Sequence, residues 1–155
     1  MTPTHRSSKA LAFLRIAVGL LFLIFAEYKL TSARFIWGGM ATYIGQFIDH
    51  ACYPFMQPFL KDIILPHAIL FGAVVAISEL LIAISLITGV LVRWASLGGL
   101  AMMLLFLLSS NYPGPQAPFW QYFGASLDHS VLALCFITFI IDTTARTAPR
   151  THHPR

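Results

Sequence analysis

Charge is the scarcest property of this sequence. Ten Lys and Arg and six Asp and Glu make up 10% of its 155 residues, too little to clothe a water-facing domain of that size. Cysteine is nearly absent: Cys52 lies in a connection and Cys135 inside an apolar run. This argues against a disulfide framework and against a thiolate set for an iron–sulfur cluster. There is no Gly-rich nucleotide loop following a strand, no internal repeat, and no pair of His residues placed to clamp a haem. The net charge of +4 comes from basic residues flanking apolar runs. They do not form a stripe that tracks a phosphate backbone, so no nucleic-acid partner is expected.

What the chain has in abundance is apolar surface: 57% of its residues are hydrophobic and its mean hydropathy is +0.75. A helix crossing about 30 Å of hydrocarbon needs roughly 20 mostly apolar residues. Four runs meet that need, over residues 10–28, 66–92, 94–110 and 120–141. The expected fold is an all-α integral membrane protein, a four-transmembrane-helix bundle forming one domain over 1–145, with a polar, mobile tail over 146–155. Arg15 interrupts the first run and "AEYKLTSARF" offers no small-x-small cleavage site, so the first run reads as a retained helix and not a secretory signal. Arg6, Lys9, Arg93, Arg146, Arg150 and Arg155 fall on one side of the runs, with Lys29, Arg34 and Lys61 on the other. The positive-inside rule then places both termini in the cytoplasm.

The connection between the first two runs is too long for a structureless loop. Ile36, Met40, Tyr43, Ile44 and Phe47 recur at helical spacing, and Phe55, Phe59 and Ile63 do so again after Pro54. Two short interfacial helices on the outer membrane surface explain both patterns. Trp37, Tyr43, Tyr53, Trp120 and Tyr122 suit an interfacial aromatic belt. The same rings also suit the walls of a mouth admitting a hydrophobic ring compound from the lipid. His50, Cys52 and Met56 in "DHACYPFM" form a copper-like ligand set, but one that arises readily by chance, and no metal site is expected.

An ionisable group inside the bilayer must turn inward and find a partner. Glu79 sits in "VVAISELLIAISLITG" on a stripe with Gly72, Ala76 and Ala83, small residues that let helices approach closely. The first helix carries Arg15, Gly19, Phe22, Ala26 and Lys29 on a matching stripe. At 1.5 Å per residue, Arg15 lies about 9 Å and Glu79 about 20 Å from the cytoplasmic end, a gap that a long Arg side chain partly covers. The expected pairs are Arg15–Glu79 and, nearer the outer face, Lys29–Asp128 beside His129. Such pairs either fix helix register or mark a polar path or binding site; the residues alone leave both readings open. His129 reads as a hydrogen-bonded bundle residue.

These residues carry a resemblance. "LRIAVGLLFLIFAEYKL" contains Arg-x3-Gly-x2-Phe-x6-Lys, "ELLIAISLITGVLVRWAS" opens on Glu-Leu and holds Gly-x3-Arg, and "FGASLDHSV" supplies Ser-Leu-Asp. In this order they resemble the DoxX family (DoxX/DoxD-like), small four-helix bacterial membrane proteins, over nearly all of the chain except its polar ends. The matching positions are Arg15, Lys29, Glu79, Arg93 and Asp128. Ala26 departs from a common Gly, Glu27 adds a charge, and the outer connection is long and aromatic. The resemblance implies a location in the bacterial cytoplasmic (inner) membrane. Family members are similar to the small membrane subunit of thiosulfate:quinone oxidoreductase or to a membrane component of a complex handling oxidative and thiol stress.

The implied function is an accessory subunit of a larger membrane complex associated with quinone-linked redox chemistry. It would not be catalytic alone and would have lipids and other membrane subunits as partners. A quinone site needs an apolar slot, donors for two carbonyls and a proton source. Lys29 and His129 would donate, Asp128 or Glu79 would relay protons, and Phe35, Trp37, Tyr43 or Trp120 would flank the ring. No intrinsic cofactor is expected beyond such a quinone and bound lipid. The alternative is a purely structural subunit that holds other chains, pigments or lipids in place.

Overall fold

The computed structural model describes residues 3–32, 34–124 and 127–147, with no strand among them. Five helices organise it: α1 Pro3–Thr31, α2 Met40–His50, α3 Ala68–Thr88, α4 Val92–Ser110 and α5 Leu127–Thr147. Segments Lys9–Thr31, Pro54–Thr88, Val92–Ser110 and Leu127–Ala145 are long and apolar enough to cross a membrane. The protein is an all-α, multi-pass membrane protein.

The break between the second and third spans falls earlier than residues 92–94. α3 stops at Gly89, whose φ of 82° is open to glycine at little cost, and the Gly89 N–H closes the helix on the Ser85 carbonyl at 2.9 Å. Val90 and Leu91 complete the turn, Leu91 itself at φ 55°. Both are apolar, so hydropathy runs through the turn without interruption. The last span starts at Leu127, later than residue 120, because Trp120 lies in the turn leading to a short helical stretch, Gln121–Gly124. α5 continues to Thr147, where Thr143 and Thr144 return their hydroxyls to the Phe139 and Ile140 carbonyls, satisfying polar side chains within the helix. Residues 148–155 of the expected tail lie outside the described residues.

The long connection is helical. Phe35–Gly39 forms one wide turn that feeds α2. The second expected short helix is not a separate element, since Pro54–His67 runs into α3 without a loop. Pro58 is tolerated near its start, where the helix opens on a 3-10 turn and the Pro54 carbonyl takes the Gln57 N–H instead. Before Pro66 the helix widens over Leu60–Ile64 and the Leu65 N–H bonds the Leu60 carbonyl, a π-type bulge that makes room for the proline ring. The joined segment has 35 residues, or about 52 Å of helix. That exceeds the bilayer core, and its first part packs against α2 instead.

Two apolar clusters result. One joins Val18 and Phe22 of α1, Ile82, Ala83 and Leu86 of α3, Met103 of α4, and Phe136 and Phe139 of α5. The other joins Phe35, Met40 and Ile44 to Met56, Leu60, Ile64 and Ala68. Gly19 lets α1 lie close against α3, since a Cβ there would come within 3.2 Å of the Ala83 carbonyl. Outward faces carry Phe13, Ile24, Leu70, Leu81, Leu134 and Ile141 exposed, as lipid contact requires.

Candidate functional site

Packing Gly19 against Ala83 and Leu86 fixes the axial register of antiparallel α1 and α3. Arg15 is then level with Gly89, and Lys29 reaches the turn of α3 that carries Glu79. The expected Arg15–Glu79 pair is therefore not formed: Gly89 and Glu79 are ten residues apart on one helix, about 15 Å. Lys29 Nζ donates to Glu79 Oε1 instead. Lys29 stands in the last turn of α1, where the helix dipole favours a cation. Its ammonium also lies 5.3 Å from the Phe35 ring centre and 5.8 Å from that of Phe106, within cation–π range. Glu79 is 4% exposed, and its second oxygen is buried with no hydrogen-bond partner.

With Lys29 committed to Glu79, the expected Lys29–Asp128 pair is replaced too. Asp128, largely exposed, lies with Oδ1 3.6 Å from Nδ1 of its neighbour His129. His129 is held by Asn111, whose side-chain nitrogen is 3.0 Å from the same Nδ1, and by the edge of Phe106.

Lys29 and His129 border one cavity of about 310 Å³, at the lower end of the range for small-molecule sites, about 300–1,000 Å³. Phe35, Tyr43, Phe47, Phe59, Phe71 and Phe106 wall it, and Ser109 and Ser110 add hydroxyls. The expected aromatic mouth is thus divided. Phe35 and Tyr43 line the cavity, while Trp37 and Trp120, 72% and 63% exposed, do not. Asn111, Phe106 and the serines were missed by sequence reasoning. Their available signal was the polar triplet Ser109-Ser110-Asn111 ending the apolar run of α4.

Beyond the spans, Tyr53 ties the two connections on this side together. Its N–H bonds the Leu108 carbonyl at 3.0 Å, its hydroxyl lies 3.4 Å from the Tyr122 carbonyl, and its ring packs on Tyr112. Burial, and to a lesser degree the Tyr122 and Tyr112 hydroxyls, push the Tyr53 hydroxyl pKa up. The copper-like triplet is not assembled: Cys52 and Met56 are buried in the second apolar cluster and His50 is exposed. Burial also pushes the Cys52 thiol up, against the thiolate a metal needs. Among the described residues, no three His, Cys, Asp or Glu gather to hold a metal. Arg15 lies at the opposite end of the bundle, as does Arg93, exposed in the first turn of α4.

The sequence profile of one protein family, described as TQO small subunit DoxD, matches residues 10–138. This meets the DoxX/DoxD-like resemblance on its DoxD side. No curated protein and no solved structure matches the chain at a significant level.

Proposed function

The chain belongs to the DoxD family, and on that premise we propose that it is an accessory subunit of a larger bacterial membrane complex with quinone-linked redox chemistry. Its own part is to hold the quinone. The observation that carries this reading is the cavity of about 310 Å³, aromatic on its walls and polar where Lys29 and His129 border it. An uncharged ring with carbonyls at its edge has that pattern of surface. The imidazole of His129 and the ammonium of Lys29 supply donors for a carbonyl oxygen, and the phenylalanines flank the ring face. The bound quinone accepts electrons from a partner subunit. Asp128, exposed beside His129, connects the site to water for proton entry, and Glu79 holds the Lys29 ammonium in place. The complex would sit in the cytoplasmic membrane with both termini inside. The excess of Lys and Arg in the sequence at the end that carries both termini, Arg6, Arg146, Arg150 and Arg155 among them, supports this orientation.

A second reading, assembly alone, is favoured by the Lys29–Glu79 pair, which is complete without a ligand. Purification in mild detergent, followed by solvent extraction and quantification of quinone, separates the two. Val75 lines the cavity, so Val75→Phe fills it. The expected result is quinone bound to the wild-type subunit and lost from the variant, with the complex still assembled. Assembly without quinone in either protein would leave the structural role only.

A further inference from the structure

Arg15 is the inward-facing cation that the Lys29–Glu79 pair leaves over. Its guanidinium occupies the space above Gly89 where a side chain would stand: a Cβ there would be 2.9 Å from Nη1 and 3.2 Å from Nη2. Its Nε is buried with no hydrogen-bond partner, and the ion pairs found among the described residues lie elsewhere. The guanidinium borders a pocket of about 460 Å³ between the start of α1, the α3–α4 turn and the end of α5, shared with Lys9, Phe139 and Asp142. Among the described residues that line it, Arg15 and Lys9 are the cations. Lys9 opens the apolar part of α1, so Arg15 lies six residues further in, about 9 Å. Exposed Leu91 and Trp94 mark the same end as a lipid-facing rim.

We infer that this pocket binds a phosphate group, that of an anionic phospholipid headgroup or of free phosphate. The planar guanidinium presents paired N–H groups that match two phosphate oxygens, and Lys9 at the rim adds a second cation. Basic pockets between transmembrane helices hold anionic headgroups by this chemistry.

The test uses the full-length protein, delipidated in neutral detergent and titrated with phosphatidylglycerol, phosphatidylcholine or sodium phosphate, with binding read by native mass spectrometry and by the shift in melting temperature. Phosphatidylglycerol should bind saturably and phosphatidylcholine should not. Lys9→Gln should weaken binding about fivefold, the worth of one basic group beside an anionic surface, and Arg15→Gln more than that. Lys61→Gln, exposed at the opposite end, should change nothing. Displacement of the lipid by millimolar phosphate would assign the site to the free anion, and its failure would assign it to the lipid. If Arg15→Gln does not fold, Arg15→Lys, which keeps the charge but loses the fork, and Lys9→Gln decide. Wild-type affinity in the folded variants, equal binding of both lipids, or no binding of either lipid or phosphate would overturn the inference.

Discussion

Replacing Lys29 by Met would leave the Glu79 carboxylate in the bundle with neither its ion-pair partner nor a second hydrogen bond. Both side chains are largely withdrawn from solvent, at 16% and 5% exposure, so screening is weak. Removing one member of such a pair costs about 3–5 kcal/mol. Membrane insertion scales put a lone charge at mid-helix at about 2.5–3.5 kcal/mol, which sets the expectation for Lys29→Met at about 3 kcal/mol. Glu79→Gln should cost somewhat less, because the Phe35 and Phe106 rings still face the ammonium. The double variant should recover much of the sum, giving a coupling energy of about 2 kcal/mol, within the range for contacting residues. Arg15→Met combined with Glu79→Gln should be additive within about 0.5 kcal/mol, as for separated sites. Reversible unfolding in mixed micelles with increasing dodecyl sulfate measures these variants, with Arg15→Met alone closing the second cycle. Additivity between Lys29 and Glu79, or coupling that appears between Arg15 and Glu79, would refute the register described for α1 and α3.

Two further outcomes test other parts of the fold. Gly99→Ala places a methyl 2.3–2.7 Å from ring atoms of Phe136, a fully buried side chain that meets Phe22 edge-on. Overpacking of this kind costs about 1–3 kcal/mol, whereas Gly98→Ala, with open space around it, should be neutral in the same unfolding assay. Tyr53, whose pKa is raised by burial, holds its proton more tightly in the folded than in the unfolded chain. Its contribution to stability should be complete below about pH 10, the ordinary phenol value, and lost as pH rises through the higher folded value. An absorbance titration should show a last-ionising tyrosine that Tyr53→Phe removes; ionisation of every tyrosine together near pH 10 would contradict the packing of the two connections.

The number of spans was legible because hydropathy over 20 residues reflects a physical length, the bilayer core. Their ends were less so: an apolar turn such as Val90-Leu91 has the same hydropathy as a helix, and only Gly89 signals the stop. Helical periodicity also told which face of α1 turns inward, for Gly19, Phe22 and Ala26 are all buried. A stripe gives azimuth and leaves sliding along the axis undetermined. Depths counted from apparent run ends therefore favoured Arg15 for Glu79, whereas the contact of Gly19 with Ala83 and Leu86 brings Lys29 there. The same limit divided the aromatic residues. Phe35 and Tyr43 share a cavity wall, while Trp37, two residues after Phe35, projects from the other side of the same turn. Asn111 follows α4 and meets His129 only through tertiary packing, which no local pattern encodes.

That register has an electrostatic consequence. Lys29 and Glu79 neutralise each other beside the aromatic cavity, so a ligand there meets a dipole and the His129 imidazole. Such a wall favours an uncharged molecule with a polar edge and gives little attraction to an anion. At the other end, Arg15 keeps a charge that Gly89 leaves room for, with Lys9 close by. Had Arg15 paired with Glu79, the charges would be arranged the other way: the Arg15 end would lose its guanidinium to that pair, and Lys29 would be the cation left over at the aromatic cavity. The two pockets thus have opposite ligand preferences for a single reason, the level at which α1 docks on α3. A variant that slides α1, such as Gly19→Leu, should therefore weaken the Lys29–Glu79 coupling and anion binding at Arg15 together. Loss of one with full retention of the other would show that the two ends are set independently.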